Sequence, residues 1–156
     1  MARRATSLTD TDFERLLDFR DGLRRFLRWS EDEAKQVGLT GPQHQLLLAI
    51  RGHGHPPSIG EISGHLLSKH HSTVELVDRA ERAGLIKRVA DPDDHRVVRL
   101  SLTRAGEAKL VALADTHLEE LGRLRPQLER LWERLPETAA EQGLRREPRS
   151  RSATSR

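Results

Sequence analysis

The chain has 156 residues, 35% hydrophobic and 33% charged, so its length suits one domain, or one subunit that shares its core with a partner. It contains no cysteine, which excludes disulfides and thiolate redox sensing and fits a reducing cytoplasm; no apolar run nears the roughly 18 residues of a membrane span, so a soluble protein is expected. Net charge is +3, but residues 145–156 hold five arginines and one glutamate and leave −1 for residues 1–144, so any nucleic-acid reading has to rest on where charges sit.

Residues 8–38 are dominated by one amphipathic pattern. Leu16, Phe19, Leu23 and Phe26 recur in steps of three and four, and Phe13 and Leu27 widen the stripe. The spacing predicts a helix from about Asp12 to Val37, roughly 39 Å long at about 1.5 Å per residue. Residues 39–103 are punctuated more tightly. Thr40 with Gln43, and Ser58 with Glu61, are capping-box pairs ahead of apolar periodic runs, and "GHGHPP" separates the two helices they start. A further helix is predicted from near His70 through Val74 and Val77 to Ala83, where Gly84 and Leu85 fit a Schellman-type end.

Ile86 to Ala90 reads as a strand, the Asp- and Pro-rich residues 91–96 as a turn, and Val98, Leu100 and Leu102 as alternating positions of a returning strand. Residues 104–135 resume the helical rhythm at Leu110, Ala114, His117, Leu121, Leu124, Leu128, Leu131 and Leu135. Pro126 lacks the N–H that a helix needs, so a long helix ending near Gly122 and a shorter one beginning around Pro126 are expected. Residues 136–156, with little apolar content, are expected to be a disordered basic tail. The sum is a mainly α protein with a small β-hairpin wing: a winged helix-turn-helix lobe between N- and C-terminal helices that clasp a second copy.

The stretch "STVELVDRAERAGLIKRVADPDDHRVVRLSLTRAGE" resembles the MarR family of bacterial transcription regulators, most specifically in "AGLIKR", "DPDDHR" and "LSLTRAGE". The similarity runs from about Leu8 to Leu135. One departure is visible: between Ile62 and Val74 the helix-turn-helix turn counts one residue longer than the usual pattern and lacks its glycine.

The resemblance implies a homodimeric regulator, a repressor by expectation, that binds a palindromic operator in double-stranded DNA with half-sites about one helical turn, roughly 10 bp, apart. On that reading Lys69, His70, His71, Ser72, Thr73 and Glu75 open the recognition helix, where hydroxyl, imidazole and carboxylate groups suit base edges and phosphates. In the wing, Asp94 is expected to hold the Arg96 guanidinium in one direction while Arg96 enters the minor groove. Lys69 and Arg99 are the favoured phosphate contacts, with Arg79, Lys87 and Arg88 as further candidates.

The resemblance also implies an effector crevice between the dimer helices and the DNA-binding lobe, which Trp29, His44 and His117 are placed to approach. His117 is better read as a satisfied interfacial histidine. His53 and His55 flank a glycine in a loop and could bind a metal weakly, but loop polarity explains them better, so neither metal nor cofactor is expected. Two other classes remain open. One is a winged-helix protein interaction module without DNA binding. The other is an enzyme using His70, His71, Ser72 and Asp94, against which stands the lack of a nucleophile elbow or phosphate-binding glycine loop.

Overall fold

In a computed structural model that describes residues 9–132, the elements run α1 (Asp10–Gln36), α2 (Gly41–Gly52), α3 (Ile59–His65), α4 (His70–Arg82), β1 (Ile86–Ala90), β2 (Val98–Leu102) and α5 (Arg104–Trp132). The tail predicted over 136–156, and Leu8 and Leu135 at the ends of the outer segments, lie outside the described residues.

Both central capping boxes form. Thr40 N–H donates to Gln43 Oε1 at 2.9 Å while Gln43 N–H donates to Thr40 Oγ1 at 3.3 Å. Ser58 N–H donates to Glu61 Oε2 at 2.7 Å and Glu61 N–H to Ser58 Oγ at 3.3 Å. Each pair satisfies two amides that would otherwise lack partners at a helix start. The end of α4 is the Schellman motif read from Gly84 and Leu85: Leu85 N–H bonds Ala80 O at 3.0 Å, Gly84 N–H bonds Glu81 O at 2.9 Å, and Gly84 takes the left-handed φ of +71° that a side chain would oppose.

The turn between α3 and α4 makes the same closure without a glycine. Ser68 N–H bonds Ser63 O, Leu67 N–H bonds Gly64 O, and Leu67 adopts φ +49° with its side chain 94% exposed. A β-carbon in that region costs roughly 1–2 kcal/mol. The glycine found missing in the sequence is therefore replaced by one strained leucine.

β1 and β2 form an antiparallel hairpin with Ile86 opposite Leu102 and Ala90 opposite Val98. On its other side β2 is held by the α2–α3 connection: Leu100 N–H donates to Pro57 O at 2.8 Å, and Ser58 bridges Arg99. The buried core joins Leu46, Leu47 and Ile50 of α2, Ile62, Leu76, Val77 and Ala80 of α3 and α4, Leu85, Ile86 and Leu100 of the wing, and Leu110 and Leu113 of α5. Ala34 is the one buried residue of α1. The core thus ties the end of α1 and the start of α5 to the lobe, and the remainder of both helices lies outside it.

One expectation is corrected. α5 does not break before Pro126 but runs through it as a single helix to Trp132. The proline removes one amide, and the carbonyl it would have served belongs to Gly122, an exposed position with no neighbour near the place of a β-carbon. Water can reach that carbonyl, so the helix loses one bond without burying an unpaired group.

Candidate nucleic-acid interface

α4 starts at His70, with Lys69 as the residue before its first turn. Lys69, His70, His71, Ser72 and Glu75 are exposed, whereas Leu76, Val77 and Ala80 are buried and Val74 is half-buried. Thr73 departs from its expected place among the exposed readers. It is 1% exposed, and its Oγ1 lies 2.9 Å from Ser63 Oγ and 2.6 Å from Ser68 Oγ while approaching Lys69 O at 3.3 Å. Helical spacing explains this: Thr73 is three and four residues from Leu76 and Val77, so it shares their inward face. Its hydroxyl locks the helix-turn-helix turn.

The wing is organised by Asp91, 8% exposed. Its Oδ1 accepts the backbone N–H groups of Asp93 at 2.8 Å and Asp94 at 3.0 Å, and its Oδ2 accepts Arg99 Nε at 2.6 Å. Arg99 Nη1 also donates to Glu61 Oε2 at 3.0 Å, tying the root of the wing to the first turn of α3. The Arg99 guanidinium and the two amides hold the Asp91 carboxyl down at about 2, and the Ser58 backbone and hydroxyl, with Arg99, hold Glu61 at about 2.

Two expectations change in consequence. Arg99 serves an internal bridge instead of standing free for phosphate. Asp94 accepts the backbone N–H of Arg96 at 3.0 Å and not its guanidinium. The side chain of Arg96 is exposed at the tip and has no ion-pair partner among the described residues. Asp94 therefore shapes the turn that carries Arg96.

A second arginine fixes the wing against α4, a role that the sequence alone does not assign. Arg88 donates to Asp78 Oδ1 at 2.5 Å and to Glu81 Oε2 through its guanidinium, and its backbone N–H donates to Glu81 Oε1 at 3.2 Å. These carboxylates raise the Arg88 pKa. Asp78 and Glu81 stand three residues apart on one helical face, which was the available signal for a shared cationic partner.

Trp29, His44 and His117 do come together. The His117 ring lies 4.9 Å from Trp29 and 4.8 Å from His44 by centroids, and Phe26 flanks both Trp29 and His117. His117 Nδ1 is 2.8 Å from the Leu113 carbonyl, so this nitrogen carries the proton, and in the neutral ring Nε2 accepts from Ser30 Oγ at 2.7 Å. The satisfied-histidine reading thus describes its bonds, although its neighbours are those of the expected crevice. Burial, and then the proximity of His117, lowers the pKa of His44.

Among the described residues no helix is long and apolar enough to cross a membrane. His70, His71, Ser72 and Asp94 make no hydrogen bonds with one another; Asp94 is committed to its own turn.

A sequence profile for the MarR family matches residues 37–97. The chain is 31% identical over 104 residues to the uncharacterised HTH-type transcriptional regulator YsmB of Bacillus subtilis, covering 64% of this chain and 70% of that protein. It is 29% identical over 82 residues to the HTH-type transcriptional repressor IacR of Pseudomonas putida, covering 53% and 48% respectively. Among solved structures it is similar to MepR, a transcription regulator of the Staphylococcus aureus multidrug efflux pump MepA, with TM-score 0.63, 21% identity and coverage of 88% and 92%. A single-site mutant of MepR bound to an oligodeoxyribonucleotide is similar with TM-score 0.58, 22% identity and coverage of 81% and 87%.

Proposed function

Since this chain belongs to the MarR family of transcription regulators, and is on that account a regulator and not an enzyme, we propose that it is a homodimeric repressor that binds a palindromic operator in double-stranded DNA. The observation that carries the reading is the division of labour among charged groups. Arg88 and Arg99 are consumed in fastening the wing to α4 and α3, while Lys69, His70, His71, Ser72, Glu75 and Arg96 stay exposed. Rigid placement of a few free polar groups is what base and phosphate recognition requires. The roles are then Lys69 for phosphate, His70, His71, Ser72 and Glu75 for the major groove, and Arg96 for the minor groove.

The dimer is supported by α1 and α5. Phe13, Leu16, Leu17, Leu23 and Leu27 on the first, and Leu118 and Leu121 on the second, are between 43% and 67% exposed in the single chain. A stripe of that extent calls for a covering surface, and a second copy offers its own stripe. The repressor sense is supported by the likeness to IacR, and the DNA partner by the likeness to the oligonucleotide-bound MepR mutant. A small-molecule effector would act where Trp29, His44 and His117 join α1, α2 and α5, since a change there alters the angle between the clasping helices and the lobe.

Selection of bound duplexes from random DNA tests the core of this reading. The recovered sites should be palindromic, and affinity should fall steeply with salt. Arg96→Ala should lower operator affinity about tenfold, with dimerisation and helix content unchanged. Failure to select any duplex, or a salt-independent interaction, overturns the assignment and favours a protein interaction module.

A further inference from the structure

A cluster of histidines lies apart from both the DNA-facing groups and the crevice. His53 caps the C-terminus of α2, Gly54 turns the chain with φ +90°, and His55 follows. Glu61 stands in the first turn of α3 and His65 one turn later. One ligand atom from each of His53, His55 and Glu61 can be chosen so that all three lie within 4.8 Å of one another.

The hydrogen bonds give the donor atoms of Glu61 and His53 a direction. Glu61 uses Oε2 for Ser58 N–H and Arg99 Nη1, while its Oε1 stands 3.7 Å from His53 Nε2. His53 Nδ1 is 2.8 Å from His65 Nε2. One of those two nitrogens must supply the proton; if it is His53 Nδ1, its Nε2 is left with a bare lone pair beside Glu61 Oε1. Metal-binding imidazoles are oriented in this way by an outer partner on the second ring nitrogen. The His53 and His55 rings are 4.5 Å apart by centroids and nearly perpendicular, and the His53 side chain is only 16% exposed.

We propose that His53, His55 and Glu61 form a binding site for a zinc-like divalent transition metal, with water completing a four-coordinate shell and His65 acting as the outer hydrogen-bond partner of His53. Two imidazoles and one carboxylate with an open fourth position are a donor set suited to zinc, and to cobalt, nickel or copper, whereas calcium and magnesium prefer all-oxygen shells. Glycine at position 54 matters because its left-handed backbone lets two residues on either side of it turn their rings to one place. The site stands without the DNA-binding reading, since every group in it belongs to the α2–α3 connection and α3.

Titration of the full-length protein with cobalt(II) in the absence of DNA, read by visible absorption and followed by zinc displacement, tests the site. One equivalent per chain should bind. His53→Ala, His55→Ala and Glu61→Gln should each weaken binding by at least about tenfold, and His65→Ala by about ten- to a hundredfold, the range of outer partners. Glutamine at position 61 keeps the capping box, so that variant removes the ligand charge, together with that of the Arg99 bridge, while α3 keeps its start. His95→Ala, in the wing, should bind as the wild type does. No saturable cobalt or zinc binding by the wild type, or binding undiminished in both His53→Ala and Glu61→Gln, overturns the proposal, as does binding that survives these changes but is lost in His44→Ala.

Discussion

At the scale of residues, Asp91 and Arg99 decide how the acidic loop behaves. The run of aspartates suggests a partner for Arg96 because Asp94 is two residues away, yet the cation that is captured is Arg99, by Asp91. Hairpin register gives the reason. Ala90 opposes Val98, so Asp91 and Arg99 are diagonal neighbours on one face of the hairpin. That relation is unreadable until the turn length is known, since a slip of one residue would send one of them to the other face. The paired Asp91 carboxyl titrates at about 2, below its ordinary 3.8, so it adds stability above the unfolded value and loses it as pH falls from about 4 to about 2. Glu61 acts in the same direction. Asp91→Asn should therefore be less stable than the wild type at pH 7 in urea unfolding, and the two should converge near pH 2. A constant difference across that range would show that Asp91 contributes through shape alone.

Among the elements, the helix ends were the most legible because caps are written in neighbouring residues. Thr40 with Gln43, Ser58 with Glu61, and Gly84 with Leu85 each needed a window of only a few positions. The start of α5 depended on more distant chain. Thr103 Oγ1 donates to Gly84 O at 2.6 Å and accepts from Gly106 N–H at 3.1 Å, and Thr103 N–H donates to Leu85 O at 3.0 Å. A β-carbon at Gly106 would stand 2.0 Å from the Leu85 carbonyl oxygen. The glycine of "LTRAGE" thus allows α5 to begin directly against the end of α4. Gly106→Ala should destabilise by about 1–3 kcal/mol, the usual range for overpacking, and chemical denaturation measures it. Gly122→Ala, in open space on the same helix, should be neutral or slightly stabilising, since alanine favours helix by about 1 kcal/mol. The unbroken run of α5 through Pro126 is not legible locally, because propensity carries no knowledge of whether the freed carbonyl can reach water.

On the scale of the whole molecule, most apolar side chains among the described residues belong either to a buried core within positions 34–113 or to unburied stripes on the two long helices. The stripes were visible as periodicity. Which of their positions would be covered by the chain's own lobe was not, because burial depends on packing between segments far apart in sequence. Leu23, 47% exposed midway along α1, provides a test at this scale. Leu23→Glu would put an unpaired carboxylate into the proposed subunit contact, and sedimentation should show the dimer dissociation constant raised at least about tenfold, equivalent to about 1.4 kcal/mol. The lobe should keep its fold, because that side chain lies outside the core. The fastening of Arg88 has a different reach. With its main-chain amide engaged by Glu81 on the outer side of β1, and the inner strand β2 already flanked by Pro57 and Ser58, a foreign strand would have to evict a carboxylate before it could extend this sheet. Crowded molecules of this protein are thereby guarded against zipping together edge to edge, even though they project hairpins.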